Sequence, residues 1–295
     1  MENERPPISG LWLPLVTPFK QGRLDELSLV RLLRHYLRQR VDGFILAATT
    51  GEGMTLDEAE TERLIALAAE EIAGRRPLYL GLSGSDTAKL GKTLARTASW
   101  PVDGYLIACP YYVRPSQEGL YRHFIALADA TDRPILIYNI PYRTGVNLGN
   151  ETLLRLAEHP NITGLKDCCV DAGQSAELLR RKPASFAVLT GEDVNFHAAL
   201  AQGAEGGILA SAHLRTDEFA RVRDAMLAGE NGAALRAWHG LADLTRLLFA
   251  EPSPAPVKFC LWQLGLIDSP EVRLPMTEVS PALAARLAEA MLVAA

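Results

Sequence analysis

The chain lacks any run of about 20 apolar residues, the length a membrane-spanning helix requires. Its longest uncharged stretches, residues 10–19, 104–113 and 194–204, are about half that length. Cysteine is scarce, with four residues at 109, 168, 169 and 260, and no C-x-x-C pair or disulfide-framework spacing links them. They read as reduced, mostly buried thiols. The six histidines, at 35, 123, 159, 197, 213 and 239, include no His-x-His or His-x-x-x-His pair, so a zinc site lacks its usual ligands and no metal is expected. No basic run stands out, and Lys+Arg 30 against Asp+Glu 35 leaves a formal charge of −5, which argues against a nucleic-acid partner. Neither a P-loop nor a G-x-G-x-x-G turn occurs, so no nucleotide site is expected. Residues 1–10 are polar, carrying Glu2 and Glu4, and do not read as a secretory signal. A cytoplasmic, membrane-free protein acting on small molecules is the expectation.

What the chain does have is core-forming material: 295 residues, 48% hydrophobic and 22% charged, which excludes global disorder. Short apolar runs alternate with longer amphipathic segments. Candidate strands cover residues 11–16, 43–48, 78–83, 104–109, 135–139, 162–166, 187–190 and 207–210. Asp25 opens a helix over 26–40 with a stripe of Leu29, Leu32, Leu33, Tyr36 and Leu37. Thr55 and Glu58 match a capping box, and Asn150 a helix cap. Beyond about residue 216 the pattern is helical only, interrupted by prolines. Eight successive βα units predict an α/β fold, a (β/α)8 TIM barrel over residues 1–225 with a C-terminal helical extension over 226–295. A doubly wound sheet is the rival, but usually has fewer strands and a glycine-rich phosphate turn.

Active sites of such barrels lie at the C-terminal strand ends. Four ends stand out: Thr49, Thr50, Gly51 and Glu52 after the second strand; Pro110, Tyr111 and Tyr112 after the fourth; Tyr138, Asn139, Arg143 and Thr144 after the fifth; Lys166 and Asp167 at the sixth. Lys166 follows Ile-Thr-Gly-Leu, an apolar context in which an amine loses pKa and becomes a nucleophile toward carbonyls. An ion pair with a buried carboxylate such as Asp167 is the alternative reading, and position alone leaves the two even. Tyr138 reads either as a core tyrosine or as a proton carrier beside Lys166. Arg143 offers a planar fork for a carboxylate, or a loop salt bridge. Thr49 and Thr50 read as substrate-binding or relay hydroxyls, or as ordinary strand-end caps. Cys168 and Cys169, being adjacent on a strand, cannot both face one pocket, and read as packing residues.

Thr-Thr-Gly-Glu at 49–52, Pro-Tyr-Tyr at 110–112, Arg-Pro-Ser-Gln-Glu-Gly at 114–119, Tyr-Asn-Ile-Pro at 138–141, Arg-Thr-Gly at 143–145, Gly-Leu-Lys at 164–166 and Glu-Pro-Ser-Pro-Ala-Pro-Val-Lys at 251–258 closely resemble the dihydrodipicolinate synthase and N-acetylneuraminate lyase family. The resemblance runs from about residue 10 onward, and it moves Lys166 toward catalysis. It implies a class I lyase that condenses pyruvate with L-aspartate 4-semialdehyde in lysine and diaminopimelate biosynthesis. Lys166 is then the Schiff-base residue, and no cofactor beyond the substrate imine is needed. Tyr138, Thr49 and Tyr112 are implied as a proton relay, with Tyr112 reaching a neighbouring subunit's site. Thr50 is implied to hold the pyruvate carboxylate and Arg143 that of the aldehyde, while Gly191 and Ile208 line the pyruvate pocket. A homotetramer of two tight dimers is implied as well.

Departures mark where the chain differs from its relatives. Lysine-biosynthetic members commonly read Lys-Glu-Ala-Thr/Ser-Gly where this chain has Lys166, Asp167, Cys168, Cys169 and Val170, and Ala48 stands where glycine often precedes the two threonines. Sialic-acid lyases usually carry Ser-Thr-Gly-Glu and lack the Arg-Thr-Gly turn, so Arg143 argues against them. The nearest alternative is another pyruvate-dependent aldolase acting on a sugar acid or hydroxy-oxo acid; a non-catalytic barrel is a second. The positions that carry the lysine-inhibition site in bacterial relatives match Glu58, Thr61, Ser85 and Lys89. Lys89 would repel a cationic ligand, which implies weak or absent lysine feedback.

Overall fold

A computed structural model describes residues 8–293; the reading of the polar start at Glu2 and Glu4 lies outside them. Eight parallel strands close into a barrel: β1 (Gly10–Pro14), β2 (Gly43–Leu46), β3 (Leu78–Leu82), β4 (Gly104–Ala108), β5 (Ile135–Asn139), β6 (Ile162–Asp167), β7 (Ala187–Thr190) and β8 (Gly206–Ile208). Each strand pairs with its successor, and β8 closes on β1 with Gly10 opposite Gly206. All eight sequence-predicted strands are present, mostly shorter at their C-terminal ends.

Side chains alternate across each strand, and the alternation sorts the residues into two cores. Trp12, Ile45, Tyr79, Leu106, Tyr138, Leu189 and Ile208 fill the barrel interior. Leu11, Leu13, Phe44, Leu46, Tyr105, Ile107, Ile137, Leu165 and Val188 face outward into the layer of helices. The two faces together explain why these strands read as continuous apolar runs. Trp12 and Tyr79 meet edge to face at 5.1 Å across the lower interior. Glycine opens β2 and β4 for this reason: a Cβ on Gly43 would lie 2.4 Å from the Trp12 ring, and one on Gly104 2.5 Å from that of Tyr79.

The first helix is Glu26–Tyr36, capped by Asp25, whose carboxylate accepts the Ser28 amide at 3.1 Å; it stops four residues short of its predicted end. The capping box of the next helix, Glu58–Ile72, is Asp57 with Glu60, and not Thr55 with Glu58. The Thr55 hydroxyl instead donates to the Glu52 carbonyl at 2.9 Å. Asn150 is also not a cap: it is the first residue of helix Asn150–Leu156, and its amide donates to the Gln174 carbonyl.

The helix after β8, Thr216–Leu227, spans the expected 225/226 boundary. Three helices follow: Asn231–Leu247, Ala255–Gln263 and Pro281–Val293. They are tied to the barrel by an ion pair of Lys258 with Glu52 at 2.5 Å, inaccessible to solvent at the lysine end. The second Glu52 oxygen accepts the Arg273 amide at 2.9 Å, and Lys258 also donates to the Glu271 carbonyl at 2.7 Å. Phe19 lies 4.3 Å beneath the Lys258 ammonium and 4.2 Å beneath the Arg273 guanidinium.

Removing one partner of a buried pair leaves an uncompensated charge, which costs about 3–5 kcal/mol, whereas removing both together costs far less. Lys258→Ala is therefore expected to lower unfolding free energy by about that amount in urea titration. The double variant Glu52→Gln with Lys258→Met is expected to recover most of the loss. A Lys258→Ala protein as stable as the parent would contradict this account of the pair.

Candidate active site

Lys166 is the fifth residue of β6, in register with Tyr138 on β5 and Leu189 on β7. Strand parity turns its neighbours Leu165 and Asp167 outward and Lys166 into the barrel. Asp167 accepts the Ser175 hydroxyl at 2.5 Å and the Cys169 amide at 3.0 Å, behind the strand. The ion pair of Lys166 with Asp167, left open by the sequence, is not formed.

Lys166 is 4% exposed, and its Nζ lies 4.3 Å from the centre of the Tyr138 ring. Burial lowers its pKa from the ordinary value of 10.5, against the opposing fields of Cys168, Asp193 and Glu192, while the Arg143 charge assists the lowering. The neutral amine, the nucleophilic form, gains population as a result. Burial pushes the Tyr138 phenol the other way, well above 10, which keeps it protonated and able to donate. Cys168 approaches the Tyr138 hydroxyl with its Sγ at 4.0 Å. Its own pKa is raised well above 9 by burial, and that of Cys169 is raised too, as expected of packing thiols and not of nucleophiles.

Gly191 makes room for the lysine. Its amide donates to the Asp167 carbonyl at 2.7 Å, and a Cβ there would lie 2.5 Å from both Lys166 Cε and Cys168 Sγ. Ile208 is fully buried in the same interior cluster as Tyr138 and Cys168. Thr49 and Thr50 follow β2, Thr50 buried and Thr49 half-buried, in a turn held by backbone bonds from Glu52 N to Thr49 O and from Gly53 N to Ala48 O, both 3.1 Å. Tyr112 is not gathered with them: its side chain is 90% exposed, on a left-handed residue at φ 71° whose amide donates to Thr144 O.

Arg143 sits on the short helix Pro141–Thr144. With Tyr142, Gly191, Glu192, Asp193 and Ser253 it lines a cavity of about 580 Å³. Two of these residues escaped the sequence reading, Glu192 and Asp193, although they follow an apolar strand just as the four selected sets do. Asp193 is buried, accepts the Ser211 amide at 2.6 Å and hydroxyl at 2.5 Å, and is pushed up to about 6 by burial. Among the described residues, no group of three His, Cys, Asp or Glu side chains is placed to hold a metal ion, and no helix is long and apolar enough to cross a membrane.

The arrangement joins a water-excluded amine, a protonated phenol against it, and an arginine-lined cavity beside both. Comparison with known proteins agrees with it. The family model described as "Dihydrodipicolinate synthetase family" matches residues 7–292. A 4-hydroxy-tetrahydrodipicolinate synthase of Clostridium acetobutylicum is 42% identical over 280 residues, 95% of this chain and 98% of that protein. The enzyme of the same name from Phenylobacterium zucineum is 36% identical, over 97% of both chains. Among solved structures, dihydrodipicolinate synthase from Aquifex aeolicus superimposes with a TM-score of 0.93 at 35% identity, covering 97% of this chain and 98% of that one. The Thermotoga maritima enzyme gives a TM-score of 0.95 at 31% identity, over 97% and 98%. The chain is an enzyme, a lyase, and it belongs to the dihydrodipicolinate synthetase family.

Proposed function

We propose that the chain condenses pyruvate with L-aspartate 4-semialdehyde to 4-hydroxy-tetrahydrodipicolinate, the step that feeds lysine and diaminopimelate synthesis. One observation carries the reading: Lys166 is held inside the barrel with no carboxylate paired to it, against Tyr138, in space that Gly191 leaves open. Its neutral amine attacks the pyruvate ketone and water leaves, giving an iminium that accepts the electrons of the methyl C–H bond when that proton is removed. The resulting enamine attacks the aldehyde. The amine of the second substrate then closes onto the imine carbon and expels Lys166.

Tyr138 and Thr49 carry the protons, joined by Tyr112 contributed across a subunit interface; Thr50 binds the pyruvate carboxylate and Arg143 that of the aldehyde. Gly191 and Ile208 line the pyruvate pocket. The substrate imine replaces any cofactor, and the assembly is a homotetramer of two dimers in the cytoplasm. Cys168 in the interior wall, where relatives commonly carry alanine, favours one second reading, another class I aldolase taking a sugar acid or hydroxy-oxo acid. A coupled assay offering each aldehyde beside aspartate semialdehyde separates the two.

Pyruvate with borohydride is expected to leave a reduced adduct that peptide mapping places on Lys166, and Lys166→Ala is expected to carry none. An unmodified parent protein would overturn the mechanism. Because the amine must be neutral to attack, and burial lowers its pKa, the trapping rate is expected to rise with pH through a midpoint below 10.5. A midpoint at or above the ordinary lysine value would contradict the desolvated site.

Tyr138→Phe is expected to lower kcat by about 10² or more, the usual contribution of a positioned proton donor, while the protein stays folded by circular dichroism. Lysine itself is expected to inhibit weakly or not at all. In the structure Glu58 is engaged by Arg96 at 3.2 Å and the Ser85 hydroxyl donates to the Tyr111 carbonyl at 2.6 Å. Half-inhibition by lysine well below a millimolar would contradict this.

A further inference from the structure

Three carboxylates line the cavity beside Arg143, and two of them are already engaged. Asp193 Oδ1 accepts both the amide and the hydroxyl of Ser211. Glu251 accepts the Ser280 amide at 2.9 Å and also its hydroxyl. Glu192 differs: the Tyr142 hydroxyl bonds its carboxylate, yet its Oε1 is buried and finds no hydrogen-bond partner among the described residues. Leaving a buried carboxylate oxygen unpaired is costly, so such a group calls for a donor from outside the chain. The Arg143 guanidinium lines the same cavity and forms no ion pair among the described residues; its carbon lies 5.9 Å from the centre of the Tyr142 ring.

The cavity therefore carries one carboxylate oxygen without a donor and one guanidinium without an ion pair among the described residues, and Glu192 directly follows Gly191, beside Lys166. A ligand bearing a carboxylate and an ammonium on the same carbon satisfies both. A ligand with the carboxylate alone satisfies Arg143 and leaves the buried Glu192 Oε1 without a donor, which is how a polar site rejects an analogue lacking the matching group.

We infer that Glu192 is a specificity-determining residue, holding the ammonium of the second substrate while Arg143 holds its carboxylate, so that the cavity selects an α-amino-acid aldehyde. This inference rests on the proposed reaction and names the group that recognises its amine. Charge is the essential property of Glu192 in this role: glutamine keeps the volume and loses the attraction, and aspartate keeps the charge with a shorter reach.

The test uses the full-length enzyme and two ligands, L-aspartate 4-semialdehyde as substrate and succinate semialdehyde, which has the same aldehyde and carboxylate but no amine, as inhibitor. Glu192→Gln is expected to raise KM for the amino aldehyde by about tenfold or more, the loss of one charged hydrogen bond. The inhibition constant of succinate semialdehyde is expected to stay within about twofold of the parent value or to improve. Glu192→Asp is expected to recover part of the KM. Equal shifts for both ligands, or no shift in either, overturn the inference. Pyruvate trapping by borohydride, measured on the same samples, separates the two levels: a parent enzyme that is trapped but does not distinguish the ligands overturns the Glu192 assignment alone, and one that is not trapped overturns the reaction with it.

Discussion

The buried ion pair between Glu52 and Lys258 holds together the parts that the site is made from. Glu52 ends the Thr-Thr-Gly-Glu turn after β2, and Lys258 belongs to helix Ala255–Gln263 in the C-terminal extension. One contact thus joins the loop bearing Thr49 and Thr50 to the segment whose Pro252 and Ser253 wall the Arg143 cavity. Phe19 beneath Lys258, and Arg273 on the second Glu52 oxygen, bring in the chain after the extension's second helix and the short antiparallel hairpin in which Phe19–Lys20 pairs with Arg23–Leu24. The extension is therefore part of the site's frame. Charge burial enforces this arrangement, since neither partner is tolerable in that location without the other.

Two lysines are buried in this protein, and their partners decide what each can do. Lys258 is desolvated, which pushes its pKa down to about 8, but Glu52 opposes the shift and the ammonium persists at neutral pH. Lys166 is desolvated with no carboxylate in contact; Asp193 and Glu192 act on it only as fields, and Asp193 is itself pushed up to about 6 and engaged by Ser211. Equal burial thus yields a structural cation in one place and an amine able to attack a carbonyl in the other. The protein keeps the second from collapsing into the first by placing the one adjacent carboxylate, Asp167, on the outer face of the strand.

Half of that last point was available in the sequence. The alternation that separates Cys168 from Cys169 equally separates Lys166 from Asp167, although both faces are apolar and only the fold, with Leu165 among the helices and Cys168 in the barrel, settles which is inward. The strands were legible because buried parallel strands must be apolar on both faces. Helix starts were harder to place: Thr55 to Glu58 and Asp57 to Glu60 have the same three-residue spacing, and only the folded turn, which spends the Thr55 hydroxyl on Glu52, selects the second. Glu192 and Asp193 went unnoticed because acidic residues at a strand end look like solvated loop residues until the fold buries them. The Glu52 to Lys258 pair spans 206 positions, and no local pattern announces a contact of that range.

Backbone strain at the strand ends follows the same division between local and long-range causes. Left-handed non-glycine residues cost about 1 kcal/mol each, and three of those in this chain have local reasons: Gln21 at the hairpin tip, Ala73 closing a helix and Arg215 opening one. The others flank the site. Ala47 at φ 56° and Glu52 at φ 52° bracket Thr49 and Thr50, and Tyr112 at φ 71° with Arg114 at φ 47° occupies the loop after β4. What holds the first turn is backbone pairing, the close approach of Gly53 to the Ala47 carbonyl and the Glu52 ion pair, none of which uses the threonine hydroxyls. A hydroxyl positioned by its backbone keeps its hydrogen-bonding capacity for something else, and strain that persists only because distant contacts overdetermine it is found mainly where that capacity is needed. The strained turn, the buried pair that sustains it and the unpaired lysine are therefore one arrangement: the fold supplies the bonds that hold these groups in place, so that the groups themselves remain available to a substrate.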